Sequence, residues 1–331
     1  MRLIKNKEIE RDKWVDLLNN SKFSSPFQTY EFYDFYNSIK GLSADVFAIE
    51  KDDEYKSLVV VTVQKEKGVK GFFSIRGIIY GGPILGSSDL ENLDSLLLGL
   101  NQAYKKGIIY IEMRNSFDYG VFNKIFEDNG WIYEKRLNVK LDIKDKTIDA
   151  ILSKMKYNRR REIKLSYKEG ATKRLANNED EIIILYEILK ELYLTRVKLP
   201  LPDKSYFLNL YKSDLGKVFV VIHNDTIIGG SFCFFDRNAI YTSYYVGLRN
   251  YHRKIFPTHL AIIGVIEFAI KNNLNLVDFM GAGKPNENYG VRDFKLQFGG
   301  DLIENGRFQN ILNPFMYKTG TLGLKLISKL K

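Results

Sequence analysis

The chain of 331 residues is long enough for two domains of ordinary size, each with its own core. Its hydrophobic content of 45% and aromatic content of 14% exclude a disordered protein. The 50 Lys and Arg residues against 40 Asp and Glu give a net charge of +10, which favours polyanionic partners. Nucleotide phosphates, lipid pyrophosphates, tRNA and an acidic membrane surface all fit that charge.

The expected compartment is the cytoplasm. Cys233 is the single cysteine, so no internal disulfide can form and a reducing environment is indicated. The charged first dozen residues predict no signal peptide, and the apolar run 260–270 is too short to span a bilayer. The basic tail 318–331 carries apolar residues at helical spacing. A helix packed on the body is the favoured interpretation, and contact with the inner face of the membrane is its alternative.

In the first half of the chain, the segments Val46–Glu50 and Ser57–Gln64 predict a strand pair joined by a charged turn. A further strand leads into a glycine–proline turn at 81–83. Leucines at helical spacing then predict a helix over 90–104, followed by a buried strand over Ile108–Met113.

The middle of the chain is predicted to be helical and basic. Thr147 is suited to capping a first helix, and Gly170 to ending a second one. Nine basic residues against two acidic ones lie between Lys154 and Arg174. This run fits nucleotide or lipid phosphate, or tRNA, although a charge run on a helix is commonly a solvated face. An amphipathic helix follows and is broken by the prolines of 199–202.

The second half repeats the element order of the first. A strand pair over Val218–Ile222 and Ile227–Phe235 precedes a strand over Ala239–Val246, a helix over 258–271 and a strand over Leu274–Met280. The order predicts an α/β (α+β) fold with a mixed sheet in each half. The boundary between the two domains is expected near residue 145.

The most informative stretch, 276–308, runs from a buried strand through a glycine turn to two cations. Asp278 lies at the end of that strand, where ligands of α/β sheets gather. Arg292 and Lys295 follow, boxed by Phe294 and Phe298. A lysine in such an apolar cradle suits an anion that forms during a reaction, because water screens its charge poorly. The pattern therefore points to acyl transfer, with a lysine snorkelling from an aromatic patch as the alternative.

Three further observations limit the chemistry. His223, His252 and His259 accompany no cysteine or carboxylate cluster at metal spacing, so no metal is expected. Cys233 lies in an apolar strand and is expected to be an inert thiol. The segment 249–258 contains no glycine for a phosphate-binding loop, which weakens the case for CoA as a ligand. Arg249, Arg253 and Lys254 are placed to bind phosphates by their side chains instead.

The chain resembles the Fem family of peptidoglycan-bridge aminoacyltransferases and their acetyltransferase-like relatives in envelope polysaccharide clusters. The resemblance covers nearly the whole chain. The matching pieces, in order, are Phe27–Glu31, Tyr80–Pro83, Ile111-Glu112, Lys154–Ile163 with Gly170, Asp278–Gly281, and Phe294-Lys295 with Phe298–Gly300.

The resemblance implies two tandem GNAT-like domains that face one another across a cleft, each a mixed, largely antiparallel sheet flanked by helices. The first comprises residues 1–145 together with a C-terminal helix over 314–331, and the second residues 146–313. It also implies transfer of an activated acyl unit from aminoacyl-tRNA or acyl-CoA, with no permanently bound cofactor. The implied acceptor is an amine of a nucleotide- or lipid-linked glycan precursor, and DNA is not an expected partner.

Residue by residue, Lys295 matches the functional lysine of the family and Phe294 the aromatic residue beside it. Glu112 stands where the family usually has an aspartate, and Tyr36 where it often has a phosphate-binding lysine, which Lys40 is placed to replace. The candidate catalytic residues are Lys295, Phe294 and Asp278. The candidate substrate-binding residues are Arg292, Gln28, Tyr30, Tyr36, Lys40, Gly82, Glu112, Arg114, Arg159, Tyr244 and Arg249.

The function expected from the sequence is therefore an acyl- or aminoacyltransferase that forms an amide on a peptidoglycan or polysaccharide precursor in cell wall biogenesis. One alternative is an acyl-CoA-dependent N-acyltransferase acting on a nucleotide-linked amino sugar. The other is a non-catalytic protein that holds tRNA or anionic lipid in a basic cleft.

Overall fold

The computed structural model describes the backbone of residues 1–65, 74–86 and 90–329, with side chains up to residue 321. The chain divides into two compact units, residues 1–136 with 304–331 and residues 137–303. The sequence predicted the two borders at residues 145 and 313, which are nine and ten residues further along the chain than the observed borders at 136 and 303.

The strands are β1 (Arg2–Lys5), β2 (Ser43–Lys51), β3 (Glu54–Gln64), β4 (Arg76–Gly81), β5 (Ile84–Leu85), β6 (Tyr110–Asn115), β7 (Ile132–Glu134), β8 (Leu137–Asp142), β9 (Thr172–Leu175), β10 (Gly216–His223), β11 (Thr226–Phe235), β12 (Ala239–Gly247), β13 (Leu276–Gly281), β14 (Asp301–Glu304) and β15 (Arg307–Ile311).

The α-helices are α1 (Arg11–Asn20), α2 (Tyr30–Asn37), α3 (Leu90–Tyr104), α4 (Asn123–Asp128), α5 (Ile148–Lys154), α6 (Tyr157–Lys168), α7 (Glu179–Leu192), α8 (Lys204–Lys212), α9 (Pro257–Lys271), α10 (Gly290–Leu296) and α11 (Pro314–Lys329). A π-helical turn, Tyr193–Val197, continues α7.

The first unit contains a sheet with the strand order β1-β2-β3-β4-β6-β15-β7, and β5 pairs with β3. The described strand pairs of this sheet are antiparallel, except that β4 and β6 run parallel. The leucines of α3 pack on this sheet in one core with Phe126, Trp131 and Phe308. The C-terminal helix α11 begins in this unit, with Tyr317 packed edge-on against Tyr110 at 5.4 Å between ring centroids.

The second unit contains a sheet with the order β14-β8-β13-β12-β11-β10-β9, in which β12 and β13 run parallel. The helix α9 connects that parallel pair and is buried along most of its length against the sheet. The Thr147 hydroxyl accepts a hydrogen bond from the Ala150 amide at the start of α5. Gly170, with φ of +88°, follows the end of α6.

The predicted repeat of element order is confirmed. In each unit two antiparallel pairings, β2-β3-β4 and β10-β11-β12, precede a helix and a strand that returns parallel to the last of the three. The fold class, α/β with mixed and largely antiparallel sheets flanked by helices, is as the sequence predicts. The predicted apolar face of the tail, at residues 322–330, lies outside the described side chains.

Candidate active site

The strands β12 and β13 diverge after three paired residues. Their parallel pairing covers Ala239–Tyr241 on β12 and Leu276–Asp278 on β13. Beyond it, β12 continues along β11 and β13 continues beside β8. Among the described residues, Thr242–Gly247 and Phe279–Gly281 therefore form the two sides of a wedge. Main-chain groups on the sides of such a gap are open to a ligand.

Lys295, on α10, reaches the β13 side of this wedge. Its side chain is buried, with the residue 5% exposed, and its Nζ donates a 2.7 Å hydrogen bond to the carbonyl oxygen of Gly281. Burial lowers the pKa of Lys295 to about 8, and the nearby carboxylate of Asp278 opposes that shift. The ammonium group is thus weakly hydrated, and it is not the snorkelling lysine of the alternative interpretation.

Asp278 lies beneath the turn that accepts the lysine. It is 1% exposed, and its Oδ1 accepts a 2.6 Å hydrogen bond from the amide of Met280, whose φ is +59°. Its Oδ2 lies 3.9 Å from Nζ of Lys140. Burial raises the pKa of Asp278 against the influence of Lys140. These contacts fit a carboxylate that caps the turn, and its oxygens are not open to an incoming group.

Arg292 was expected to bind substrate beside Lys295, but its guanidinium group is directed to backbone carbonyls. It donates to the carbonyl oxygen of Lys284 at 2.7 Å and to that of Glu287. These two bonds close the polar loop 284–290 in front of α10. Among the described contacts, no ion pair joins Arg292 to the adjacent Asp293.

Tyr245 stacks on Phe294 at 5.8 Å between centroids, whereas Tyr244 was the tyrosine predicted to bind substrate. Tyr244 packs instead against Phe207 of α8 and Tyr193 of the π-helical turn. A register shift in the pairing of β11 with β12 skips Ser243, which moves the two tyrosines relative to simple alternation.

Arg159 was expected to bind phosphate, yet its side chain joins three helices. Its Nε donates a 2.6 Å hydrogen bond to Gln297 after α10, and its NH1 lies 2.6 Å from Glu162 on α6 and contacts His259 on α9. Burial, and then the charge of Arg159, lower the pKa of His259 to about 3, so this imidazole is neutral. The guanidinium also lies over Phe294, 5.8 Å from its centroid. Of these contacts, only the one between Arg159 and Glu162 was predictable from the sequence, because the two residues lie three positions apart on a helix.

A cavity of about 570 Å³ lies where β12 meets the start of α9. Three arginines line it, Arg196, Arg249 and Arg253, together with the first residues of the helix. No hydrogen bond or ion pair joins these three guanidinium groups to another residue within the described part of the chain. A helix N-terminus and unpaired arginines both attract anions. We call this cavity the arginine pocket. Arg249 and Arg253 were expected to bind phosphate, whereas Arg196 was not, because it comes from the distant π-helical turn.

Gly247 permits the close approach of β12 to this helix. A Cβ atom at that position would lie 2.7 Å from the backbone nitrogen of Thr258. The first amides of α9 are therefore held at the end of the strand that borders the wedge.

Residues 153–295 match the sequence model of the family described as acetyltransferase (GNAT) domain. The second unit thus resembles a GNAT domain over most of its length. The match confirms the predicted enzyme class, an acyltransferase. A comparison with curated proteins found no match.

Solved structures share the fold over nearly the whole chain. FemX superimposes with a TM-score of 0.74 at 16% identity, over 96% of this chain and 99% of FemX. A tandem GNAT protein from the clavulanic acid biosynthesis pathway gives 0.57 at 10%, over 95% and 99%. The C-terminal domain of a putative lysylphosphatidylglycerol synthetase from Agrobacterium fabrum gives 0.57 at 10%, over 96% and 95%. The predicted Fem-like fold of tandem GNAT domains is confirmed.

The first unit has its own charged cluster on one face of its sheet. Nε of Arg114 donates a 2.6 Å hydrogen bond to Glu112, and Arg307 of β15 donates to the same oxygen at 3.2 Å. Burial alone would raise the pKa of Glu112, but Arg114 and Arg307 outweigh it and hold the pKa below its usual range. Glu112 is thus ionised and forms ion pairs with both arginines. Arg114 also lies over the ring of Tyr80, 5.3 Å from its centroid.

Two predicted binding residues of the first unit are enclosed in its core. Gln28 is fully buried, and its amide bonds with the backbone of Val60 and Tyr80. Gly82 has φ of +91°, and a Cβ there would lie 2.2 Å from Oη of Tyr119. Both positions have contacts that explain their residue types without a ligand.

The other three candidates of this unit differ in exposure. Tyr36 is buried against Phe32, Tyr30 packs edge-on against Trp14, and Lys40 is exposed after α2. Only Tyr36 is near the charged cluster, since it interacts electrostatically with Arg114.

Cys233 is fully buried, and burial raises the pKa of its thiol to about 12. Within residues 1–65, 74–86 and 90–321, no three His, Cys, Asp or Glu side chains are grouped as metal ligands. Across the described helices, none is both long and apolar enough to cross a bilayer.

Proposed function

We propose that this protein forms an amide by moving an acyl or aminoacyl group from a phosphate-bearing donor to an amine of a cell-envelope glycan precursor. Lys295 would stabilise the oxyanion of the tetrahedral intermediate. The observation that carries the proposal is a buried, weakly hydrated ammonium group at the edge of a strand wedge in a GNAT domain.

The reaction follows from this position. The acceptor amine attacks the carbonyl carbon of the acyl ester or thioester, and the carbonyl oxygen becomes an oxyanion near Nζ of Lys295. Collapse of the intermediate breaks the bond to the leaving oxygen or sulfur, which takes the proton released by the nitrogen. One well-placed donor to such an oxyanion contributes roughly 3 kcal/mol to transition-state stabilisation.

The remaining candidate residues hold this arrangement. Asp278 fixes the left-handed Met280, whose neighbour Gly281 accepts the lysine. Arg159 ties α6 and α9 to the end of α10. Phe294 stacks on Tyr245 and so packs α10 against β12. These are positioning roles, since none of these groups requires contact with the reacting atoms.

The arginine pocket supplies a site for the phosphates of the donor. Side-chain guanidinium groups take the place of the glycine-rich loop amides that the segment 249–258 lacks. The GNAT match favours an acyl-CoA thioester, and the resemblance to Fem proteins favours aminoacyl-tRNA. Both donors carry phosphates, at the far end of the pantetheine arm in acyl-CoA and on the terminal nucleotide in aminoacyl-tRNA, so the pocket supports either.

The acceptor side of the proposal uses the first unit. Two arginines on one carboxylate leave a net positive cluster, Arg114 and Arg307 with Glu112, on its sheet. A sugar phosphate or pyrophosphate matches that charge. The resemblance to Fem proteins indicates a nucleotide- or lipid-linked glycan as its carrier.

A donor-by-acceptor screen by mass spectrometry tests the proposal. Acyl-CoA thioesters and charged tRNAs are each combined with amino-sugar nucleotides and peptidoglycan precursors, using wild-type protein and Lys295→Met. We expect an amide product with at least one combination, and none with Lys295→Met. Lys173→Met, which replaces another partly buried lysine of the same unit, should remain active. No product with any pair, or full activity in Lys295→Met, would contradict the proposal.

A further inference from the structure

The π-helical turn at the end of α7 and the loop after it expose aliphatic side chains to solvent. Leu194 and Leu199 are 68% and 66% exposed, and Val197 between them is 36% exposed. The next residue along the chain, Pro200, is exposed as well. Three exposed large hydrophobic residues thus fall within six consecutive positions, and such a cluster indicates a binding surface. We call residues 194–202 the leucine–proline loop.

The exposed leucines are not part of the buried face of α7. The buried residues of that helix are Ile182, Leu185, Tyr186 and Leu189. Tyr193 continues this face and packs against Tyr244 at 6.1 Å between ring centroids. Leu194 instead follows Lys190 by four positions, so it lies one turn beyond that lysine on the solvent side of the helix. The core of the second unit therefore leaves the leucine–proline loop uncovered.

The backbone of the loop is restrained although its side chains are exposed. The amide of Lys198, whose φ is +55°, donates a 2.8 Å hydrogen bond to the carbonyl of Tyr193 and closes the π-helical turn. Pro200 and Pro202 follow, and each ring fixes its own φ. The leucines are thus presented on a stiff segment, which lowers the entropy lost when they bind to a surface.

The loop is basic as well as apolar. Arg196 and Lys198 are exposed, and no acidic residue occurs between Glu191 and Asp203. Among the residues that the structure describes, no hydrogen bond or ion pair joins either cationic side chain to another residue. Arg196 also lines the arginine pocket, so the loop and the pocket share an edge. Cations beside exposed leucines match a surface that is anionic outside and apolar beneath.

We propose that the leucine–proline loop inserts into the headgroup region of an anionic phospholipid bilayer. Leu194 and Leu199 reach the acyl boundary, and Arg196 and Lys198 contact the lipid phosphates. The inference goes beyond the proposed function, because it concerns where the protein binds and not which bond it forms. It also assigns the contact to a segment other than the tail 318–331.

The composition of the loop favours lipid over a protein partner. The residues that dominate protein–protein interfaces are Trp, Tyr and Arg, whereas Leu and Val are under-represented among them. The apolar side chains exposed on this loop are aliphatic, and the neighbouring Tyr193 packs inward. The acids Glu187 and Glu191 lie behind the loop on α7, and Glu187 pairs with Lys190 at 3.2 Å. The helix therefore meets the bilayer with its end and keeps its acidic side in water.

Vesicle cosedimentation of the full chain tests this docking. Wild type and variants are incubated with vesicles of phosphatidylcholine alone and of phosphatidylcholine mixed with phosphatidylglycerol. We expect wild type to bind the mixed vesicles and Leu194→Ser/Leu199→Ser to bind them about tenfold more weakly, since the leucines lose their burial in lipid. Lys198→Gln should bind the mixed vesicles about fivefold more weakly. Val121→Ser, which replaces a 77% exposed residue of the first unit, should bind like wild type.

A tryptophan probe reports the insertion itself. The two natural tryptophans, Trp14 and Trp131, are each 1% exposed, so vesicles should not change their emission. We expect the emission of Leu199→Trp to shift to shorter wavelength when mixed vesicles are added. Val121→Trp provides the matched control and should show no shift.

Three outcomes would overturn the inference. They are the absence of vesicle binding by wild type, an unshifted emission of Leu199→Trp, and equal binding by wild type and Leu194→Ser/Leu199→Ser. The last result would assign the contact to another surface, such as the tail 318–331. Lys295→Met should bind vesicles like wild type while forming no amide product, so the docking and the proposed reaction can fail independently.

Discussion

The ammonium group of Lys295 donates a 2.7 Å hydrogen bond to the carbonyl oxygen of Gly281, fourteen residues earlier in the chain. The acceptor is uncharged, so the positive charge is oriented without being neutralised. Met280, whose carbonyl is the next acceptor at 3.5 Å, is held in a left-handed conformation by Asp278. An oxyanion that forms in the wedge would be a stronger acceptor than either carbonyl. Three consequences of this arrangement can be measured, and a fourth prediction concerns the first unit.

The first prediction concerns the pH dependence of catalysis. Lys295 must be protonated to stabilise an oxyanion, and burial lowers its pKa to about 8. We expect kcat to fall about tenfold per pH unit above that value, once the acceptor amine is fully deprotonated. A pH–rate profile with an acceptor of known pKa measures this limb. Any residual activity of Lys295→Arg should not show this fall of kcat at alkaline pH, because a guanidinium stays protonated. A wild-type rate that keeps rising to about pH 10 would contradict the assigned role.

The same shifted pKa predicts a stability effect. The folded protein holds the Lys295 proton less tightly than the unfolded chain, whose lysine pKa is near 10.5. The cost of burying the charge is therefore present in full below about pH 8 and disappears as the pH rises toward 10.5. Between these limits wild type should gain on the order of 3 kcal/mol relative to Lys295→Met. Urea unfolding of both proteins at about pH 7.5 and about pH 10 measures that difference. A constant difference would mean that the ammonium is well solvated.

The order of elements was predictable because each signal is local. Alternating strands, a leucine-rich helix and a buried returning strand recur in both halves, and their bounds agree with β2, β3, α3 and β6 and with β10–β13. The burial of Lys295 was also predictable, since it is a cation between two phenylalanines.

The polar contacts of the site depend on the tertiary structure and carry no such local signal. Arg292 binds carbonyls of the loop before it, and Arg159 binds Gln297, 138 residues away. A bulge at Ser243 shifts the pairing of β12 with β11, so the surroundings of Tyr244 and Tyr245 were not predictable from strand alternation alone. Arg196 and Arg249 converge because a π-helical turn and the end of β12 approach the same helix.

A third prediction separates the two contributions of Asp278. Asp278→Asn keeps an oxygen for the Met280 amide but removes the charge that supports protonation of Lys295. The fall of kcat at alkaline pH should therefore begin at a lower pH in Asp278→Asn, and the free energy of unfolding should change little. Asp278→Ala also loses the hydrogen bond that holds a non-glycine residue at positive φ, and should cost about 1–3 kcal/mol of unfolding free energy.

A second substitution provides the control for this pair. Met280→Gly in the Asp278→Ala background should restore part of the stability, because glycine adopts φ of +59° without strain. Thermal unfolding and pH–rate profiles of the three variants give the comparison. If Asp278 were the proton acceptor, Asp278→Asn and Asp278→Ala would lose kcat equally at every pH, and adding Met280→Gly would not restore kcat.

The fourth prediction tests whether Gly82 serves the fold or the substrate. An alanine Cβ at this position would lie 2.2 Å from Oη of Tyr119, which donates a 2.8 Å hydrogen bond to the carbonyl of Pro83. Gly82→Ala should therefore cost roughly 2 kcal/mol or more through both the clash and the positive φ. Gly41→Ala is the matched control. Gly41 has φ of +85°, and among the described residues no atom lies within 4 Å of the position that an alanine Cβ would take there.

Gly41→Ala should consequently lose only the backbone contribution, on the order of 1 kcal/mol, and the difference between the two variants isolates the Tyr119 contact. Differential scanning calorimetry and acceptor KM are measured together. A structural role predicts a lower Tm for Gly82→Ala with an unchanged KM for the folded fraction. A raised KM at an unchanged Tm would instead return Gly82 to the acceptor site, because only a bound ligand would then detect the added methyl group.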